Sequence, residues 1–242
     1  MFRLLKIIMN KKESILTDDV NRIHRILKTD INKEPNTQED EIIFGCGCFW
    51  GAEKCFWKLP GVITTSVGYA GGKKSNPTYY EVCSGLTGHS EVVRVVWNKS
   101  EIDISDLLKM FWECHDPTQK NRQGNDMGTQ YRSAIYYKNE NNIKTILASK
   151  EQYQTELSKK NLGLIETEIK MIDSYFYAEQ YHQQYLASAG SRQYCSASPT
   201  KVKLGVFTGS NYKLEDHIWE NFNWEVDKCV LRSDNNPIKN NI

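Results

Sequence analysis

The chain has 242 residues, of which 39% are hydrophobic and 25% charged, so it carries enough apolar material to form a folded core. Its 31 Lys and Arg residues nearly balance 30 Asp and Glu residues, and the formal charge of +1 gives no electrostatic reason to expect nucleic acid or an anionic membrane as a partner. The longest uncharged stretch, residues 59–72, contains glycines and a proline and is too short to span a membrane.

The seven cysteines are too few for a disulfide scaffold and are odd in number. Free thiols persist in the cytoplasm, which is therefore the expected compartment. The first twelve residues contain no acidic side chain, so an organelle-targeting leader is the alternative, whereas a secretory signal is not expected.

In chain order, the hydrophobic pattern predicts five strands, at residues 42–44, 62–67, 91–97, 134–137 and 165–171. It also predicts three helices: one at 52–59, one capped by Ser105, and one at 143–159. Two loops are expected, a glycine-rich one at 68–77 and a long polar one at 115–130. Because strands and helices do not alternate regularly, we expect an α+β fold with a mixed or antiparallel sheet. We further expect a two-layer sandwich with flanking helices and a ferredoxin-like core.

The composition divides the chain into three parts. Residues 1–40 are interpreted as an N-terminal extension, 41–204 as the main folded domain and 205–242 as a C-terminal extension. The C-terminal part carries Trp219, Phe222 and Trp224 among acidic residues. Packing of these aromatics against the domain is favoured over binding of a partner.

Cys48 is the first candidate for chemistry, because it lies where a predicted strand runs into a predicted helix, after Gly47. Free backbone N–H groups and the helix dipole at such a junction should lower the pKa of the thiol and favour the thiolate. Burial as a small core residue is the alternative. The next two residues, Phe49 and Trp50, suggest an aromatic pocket for a methyl or thioether group, although packing in the core is the more common role of such residues.

Two other residues could take part in chemistry with this thiol. Glu91 opens a strand, where a solvated carboxylate is the more common case. A carboxyl group at the mouth of an apolar pocket would instead have a raised pKa and could act as a general acid. Cys195 lies in a polar segment and is placed to meet another sulfur atom. Asp126 by itself more often marks a turn.

Zinc is a rival use of these thiols, with Cys46 and Cys48 joined by His89 or His115. Structural zinc sites normally use ligand pairs two to four residues apart, and no second pair exists, so no metal is expected. The residues alone leave open an enzyme with a nucleophilic cysteine, a thiol or metal-binding module, and a peroxide-sensing thiol protein.

The segment 45–53, GCGCFWGAE, resembles the GxGCFWGxE signature of the peptide methionine-sulfoxide reductase A family. Further blocks follow in the order found in that family: GYAGG at 68–72, NPTY at 76–79, VCSG at 82–85, TGH at 87–89, EVV at 91–93, WE at 112–113, HDPTQ at 115–119, RQGND at 122–126, GTQYRS at 128–133, YAE at 177–179 and HQQYL at 182–186. The resemblance covers about residues 41–200.

The resemblance implies an enzyme that reduces methionine S-sulfoxide, free and in proteins. Cys48 would attack the sulfoxide sulfur and become a sulfenic acid, and Glu91 would protonate the sulfoxide oxygen. Cys195 would then form a disulfide with Cys48, which thioredoxin would reduce without any metal or bound cofactor. We expect a monomer.

The resemblance also implies a substrate site, in which Phe49 and Trp50 hold the methyl group. Tyr79 and Tyr131 would donate hydrogen bonds to the sulfoxide oxygen, and Asp126 would help organise the site. Many members have a further recycling cysteine soon after the resolving one. Here the next thiol is Cys229, 34 positions on, so a two-thiol cycle is expected. Cys46 could compete for the sulfenic acid.

Overall fold

The structure is a computed structural model that describes residues 22–226 and 228–240. Its strands are β1 (Glu39–Cys46), β2 (Val62–Ala70), β3 (Ser90–Asn98), β4 (Arg122–Gln123), β5 (Asp126–Met127), β6 (Ser133–Tyr137), β7 (Glu168–Met171) and β8 (Tyr175–Tyr177). Its α-helices are α1 (Phe49–Trp57), α2 (Tyr79–Cys83), α3 (Ile104–Cys114), α4 (Ile143–Lys159), α5 (Asp216–Trp219) and α6 (Cys229–Arg232). Short 3-10 turns lie at Thr129–Tyr131, Glu140–Asn142, Gln180–His182 and Tyr185–Ala187.

Six strands form one sheet in the order β7-β6-β1-β3-β2-β8. Every neighbouring pair is antiparallel except β6 and β7, which run parallel. The predicted α+β class with a mixed sheet and flanking helices is confirmed. Strand β3 is buried along nearly its whole length, because α1 covers one face of the sheet and a smaller apolar cluster around Tyr136 fills the other.

The ends of the observed helices and strands differ from the predicted ends at positions where polar side chains cap or nucleate an element. The helix expected to start at Ser105 is capped by Asp103, whose carboxylate accepts a hydrogen bond from the Ser105 N–H at 2.9 Å. Helix α2 was not predicted, and it is nucleated by a capping box between Thr78 and Glu81. The long polar loop contains the short β4–β5 hairpin.

Both terminal segments pack against the sheet and its helices where they are described. Near the N-terminus, Thr29 donates a hydrogen bond from Oγ1 to the Ile63 carbonyl at 2.7 Å, and Ile31 is buried. In the C-terminal part, Phe222 and Trp224 stack on each other and join the main core. The leader considered for the first twelve residues lies outside the described residues. None of the helices within residues 22–226 and 228–240 is long and apolar enough to cross a membrane.

Candidate active site

Cys48 lies at the predicted junction between strand and helix, as the N-cap residue of α1 two positions after β1 ends. The backbone reaches it through Gly47, which has a φ of +85° and lies so close to Gln123 that a Cβ would be 2.5 Å from that side chain. Only glycine fits this turn without strain. The backbone N–H of Cys48 donates to Ser196 Oγ at 3.2 Å, and the residue is 7% exposed.

Glu91, the second residue of β3, points its carboxyl group at the beginning of the same helix. Its Oε2 accepts a hydrogen bond from the Phe49 backbone N–H at 3.2 Å. Burial raises the pKa of Glu91 to about 8, against the opposing effect of the Phe49 N–H, and the charge of Asp126 adds to the increase. The expectation of a raised pKa is confirmed, and at neutral pH this carboxyl group mostly holds its proton.

The expectation of a lowered pKa at Cys48 was wrong. Burial and the neighbouring Glu91 raise the pKa of this thiol well above its usual value, and the backbone N–H of Trp50 opposes them only in part. Two of the helix's free N–H groups, which sequence reasoning assigned to the thiol, are bonded to Ser196 and Glu91 instead. The pair therefore rests as a thiol beside a carboxylic acid, with two protons available for chemistry.

The first turn of α1 supplies the expected aromatic residues. Phe49 is buried, and Trp50 is half-buried with its indole stacked on the ring of Tyr185 at a centroid distance of 3.8 Å. The indole N–H of Trp50 donates to His182 Nδ1 at 3.1 Å. These contacts fix the orientation of the indole ring beside Cys48.

Tyr79, Tyr131 and Asp126 come from three other segments and meet around Glu91. Burial, followed by the charge of Glu91, raises the pKa of both tyrosines, so each hydroxyl remains a hydrogen-bond donor. Asp126 accepts a hydrogen bond from the Tyr194 hydroxyl. Tyr79 is held by its backbone N–H, which donates to Glu179 at 2.8 Å.

Although Cys195 lies in a polar segment of the sequence, its side chain is only 4% exposed and packs on α1. Its side chain lies against Gly51, where an added Cβ would collide with the sulfur and lie 3.1 Å from the Cys195 Cβ. Burial and the nearby Cys55 thiol raise the pKa of Cys195 to about 12. Since Gly51 is in the first turn of α1, both thiols flank the beginning of one helix.

The other candidate thiols face elsewhere. Cys46 turns into the core, where its sulfur and ligand atoms of Cys114 and His115 lie within 4.8 Å of one another. Both ring nitrogens of that histidine already have partners, the Phe111 carbonyl at 2.7 Å and the Ser133 hydroxyl at 2.8 Å. Cys48 does not belong to this group.

His89, the other histidine considered for zinc, bonds to the backbone of Gly72 and Lys74. Cys229 begins α6 and lines a small surface pocket together with Cys195.

Sequence reasoning did not single out four residues that shape the site, Glu179, His182, Tyr185 and Ser196. The first three lie in blocks that the sequence had matched to a family, but nothing in their spacing showed that they would contact Tyr79 and Trp50. Ser196 follows Cys195 directly, and its partner, the Cys48 N–H, is 148 positions away in the chain. Contacts between residues so far apart in the chain are created by the tertiary fold and do not follow from sequence spacing.

The fold and this site define an α+β protein in which a buried thiol, a protonated carboxyl group and a second thiol meet at the N-terminus of one helix. The sequence model described as "Peptide methionine sulfoxide reductase" matches residues 40–212. The chain belongs to this family, and it is an oxidoreductase that reduces methionine sulfoxide.

Individual relatives agree with this assignment. The peptide methionine sulfoxide reductase MsrA of Vibrio vulnificus is 52% identical over 183 residues, which cover 76% of this chain and 87% of the relative. That of Azotobacter vinelandii is 57% identical over 164 residues, or 68% of this chain and 76% of the relative.

Two solved structures are also similar. Methionine sulfoxide reductase A of Corynebacterium diphtheriae has a TM-score of 0.65 and 41% identity, with coverage of 76% of this chain and 89% of that one. Reduced Mxr1 of Saccharomyces cerevisiae has a TM-score of 0.62 and 34% identity, with coverage of 68% and 92%.

Proposed function

We propose that this chain reduces the S epimer of methionine sulfoxide, free and in proteins, through Cys48, Glu91 and Cys195. The observation that carries the proposal is the hydrogen bond between the Phe49 N–H and Glu91, which holds a protonated carboxyl group beside the Cys48 thiol. Phe49 and Trp50 enclose the methyl group of the substrate. Tyr79 and Tyr131 donate hydrogen bonds to the sulfoxide oxygen, and Asp126 holds the site together through Tyr194.

In the first step, the Cys48 sulfur attacks the sulfoxide sulfur while Glu91 delivers its proton to the sulfoxide oxygen. The thiol proton replaces the proton that Glu91 gave up. When the sulfur–oxygen bond of the substrate breaks, the hydroxyl group passes to Cys48. Methionine leaves, reduced by two electrons, and Cys48 is oxidised to a sulfenic acid.

In the second step, the Cys195 thiol attacks the sulfenic sulfur, a disulfide forms and one water molecule leaves. The position of Cys195 against Gly51 supports this role, because the thiol needs to move only across the first turn of α1. A dithiol protein then reduces the disulfide by exchange, and the sequence resemblance implies that it is thioredoxin. Cys195 also lines a surface pocket with Gly124, Tyr194 and Lys228, through which the reductant can approach.

The proposed cycle needs no metal or bound cofactor, since the two thiols, the carboxyl group and the external dithiol reductant account for every atom and electron. We propose that Cys46 stands outside it because its thiol faces Cys114 in the core. The cycle then needs two thiols, and Cys229 is not required.

Substitution of the two thiols tests the proposal. Cys48→Ser should abolish reduction of methionine S-sulfoxide in a chiral assay with thioredoxin, while circular dichroism shows an unchanged fold. Cys195→Ser should release one methionine per chain and then stop. Substantial turnover by Cys48→Ser would refute the proposal, and unimpaired recycling by Cys195→Ser would transfer the resolving role to Cys46 or Cys229.

We also infer that the core of the sheet is ferredoxin-like. Elements β1, α1, β2, β3, α3 and β6 occur in this order along the chain, with α2 and the β4–β5 hairpin inserted among them. The antiparallel order β6-β1-β3-β2 supports the assignment. Superposition of an experimental structure on proteins of that fold would test it.

For the division of the chain, we propose an N-terminal extension over 1–40, a catalytic domain over 41–204 and a C-terminal extension over 205–242. The family match from residue 40 supports the first boundary. We propose a cytoplasmic monomer, with organelle targeting by the first residues as the alternative. Light scattering and cell fractionation would test the two parts of this statement.

A further inference from the structure

His182 is a buried imidazole that lies among the aromatic residues proposed to hold the substrate. It is 2% exposed, and its ring centroid is 4.5 Å from that of Tyr79, 5.1 Å from that of Phe49 and 5.8 Å from that of Trp50. No catalytic step described above uses this histidine, yet three of the proposed pocket residues touch it.

The hydrogen bond from Trp50 fixes the protonation state of this imidazole. An indole N–H can only donate, so His182 Nδ1 must accept with its lone pair, and the proton of the neutral ring is on Nε2. Burial lowers the pKa of His182 to about 4, so the ring stays neutral at physiological pH. Nε2 is buried and has no hydrogen-bond partner in the described part of the chain.

The residues after His182 prevent the imidazole from turning away. The Gln183 side chain bonds to the backbone N–H and C=O of Val67 at 2.9 and 2.8 Å, which attaches this segment to β2. The backbone N–H and the side chain of Gln184 both donate to Glu53 on α1, at 2.8 and 2.7 Å. Such buried, mutually bonded side chains hold one geometry.

We propose that His182 is a positioning residue, which holds the Trp50 indole through Nδ1 so that the methyl pocket is formed before the substrate binds. Tyr185 stacks on the same indole at an interplanar angle of 14°, so one contact fixes the plane of the ring and the other its rotation within that plane. The inference rests on the proposed function. It adds that the wall of the pocket is set by a residue on a distant segment of the chain.

The experiment compares His182→Asn with His182→Leu, two side chains of similar size. The Asn amide oxygen can take the place of the Nδ1 acceptor, and Leu leaves the Trp50 N–H buried without a partner. We expect Leu to raise KM for methionine S-sulfoxide by about tenfold or more, which is the effect of one unsatisfied buried donor, with little change in kcat. Asn should recover most of this loss.

A double-mutant cycle shows whether the effect passes through Trp50. Trp50→Phe removes the donor, so adding His182→Leu in that background should raise KM no further. An additional tenfold loss in the Trp50→Phe background, a KM of His182→Leu equal to that of the wild type, or an equal loss in Asn and Leu would each overturn the proposal. If His182→Leu does not fold, His182→Gln replaces it, because its amide lies one carbon further out and misses the indole.

The failure of this inference can be distinguished from that of the proposed function. A wild-type chain without sulfoxide reductase activity would refute the function itself. Normal activity in the wild type together with a normal KM in His182→Leu would refute only the role of His182.

Discussion

In the proposed mechanism, Cys48 and Glu91 start with a proton each, as a thiol and a carboxylic acid, rather than as a thiolate beside an acid. Cys48 and Glu91 both have raised pKa values because each is buried and each lies near an acidic group, Glu91 in the case of Cys48 and Asp126 in the case of Glu91. The substrate needs one proton on its oxygen, and the thiol must lose one as it attacks. A carboxyl group that donates its own proton to the sulfoxide oxygen and takes up the thiol proton meets both requirements. The buried site then gains no net charge.

This pairing predicts how the sulfoxide step depends on pH. Glu91 must be protonated, and its pKa is about 8, so the single-turnover rate should fall as pH rises through that value. Glu91→Gln cannot donate a proton as an acid, so the rate should drop about a hundredfold and the fall near pH 8 should disappear. Rapid-quench measurement of methionine formation between pH 6 and 9 checks both effects.

The matched control is Glu156→Gln, which removes a carboxylate that pairs with Lys159 on the surface of α4 and should leave the rate and its pH dependence unchanged. A wild-type rate that stays level or rises through pH 8 would contradict the two-proton state.

At the residue scale, the sequence located the two groups proposed to react and the raised pKa of Glu91, but it gave the wrong direction for the pKa of Cys48. The strand-to-helix junction at Cys48 and the strand start at Glu91 could both be read from hydrophobic pattern and glycine position. The direction of the Cys48 pKa could not, because it depends on Ser196 and Glu91 taking the N–H groups of the helix. Those contacts join residues far apart in the chain.

At the scale of elements, α1 organises the chemistry. Its N-terminus carries Cys48, its first turn carries Phe49 and Trp50, and Gly51 leaves the space that Cys195 fills. A methyl group at Gly51 would push this sulfur outward without harming the helix, since alanine is the better helix former.

Gly51→Ala should therefore slow disulfide formation by roughly tenfold to a hundredfold, while the release of the first methionine is much less affected. Counting free thiols against time after one equivalent of sulfoxide separates the two steps. Gly163→Ala is the control, because its Cβ would have its nearest neighbour at 3.5 Å and collide with nothing. Disulfide formation at the wild-type rate in Gly51→Ala would mean that Cys195 does not react from this position.

Hydrophobic periodicity located the central strands and the long helices, but it missed the short elements. Helix α2 has only five residues and depends on the Thr78–Glu81 capping box, and β8 has three residues and exists because it pairs with β2. Neither α2 nor β8 is long enough to show a hydrophobic periodicity in the sequence. Tyr79 in α2 and the segment after β8 nevertheless shape the pocket.

At the scale of the whole molecule, the C-terminal segment is part of the folded body where it is described. The Lys58 ammonium group, at the end of α1, donates to the carbonyls of Asp234 and Asn236 at 3.1 and 3.0 Å, and Phe222 lies in the main core. Composition favoured packing over binding of a partner without deciding between them, because scattered aromatics among acidic residues suit both. The contacts favour packing.

Phe222→Ala should lower the free energy of unfolding by about 3–5 kcal/mol, since it leaves a cavity beside Trp224. For a chain of this size, the corresponding fall in Tm is roughly 10 °C, measurable by thermal denaturation. Val206→Ala, at a position that is 78% exposed, should change Tm by less than about 2 °C. Equal Tm values for the two variants would show that the segment does not stabilise the domain.

The most direct test of the account follows the oxygen atom. The Cys195→Ser protein, in which the first oxidised product persists, is mixed with one equivalent of methionine S-sulfoxide labelled with ¹⁸O and analysed by rapid intact mass measurement. The expected result is one methionine released per chain, with the label bound to Cys48 as a sulfenic acid. Release of methionine with the label in water and Cys48 still a free thiol would contradict the transfer of oxygen to this sulfur.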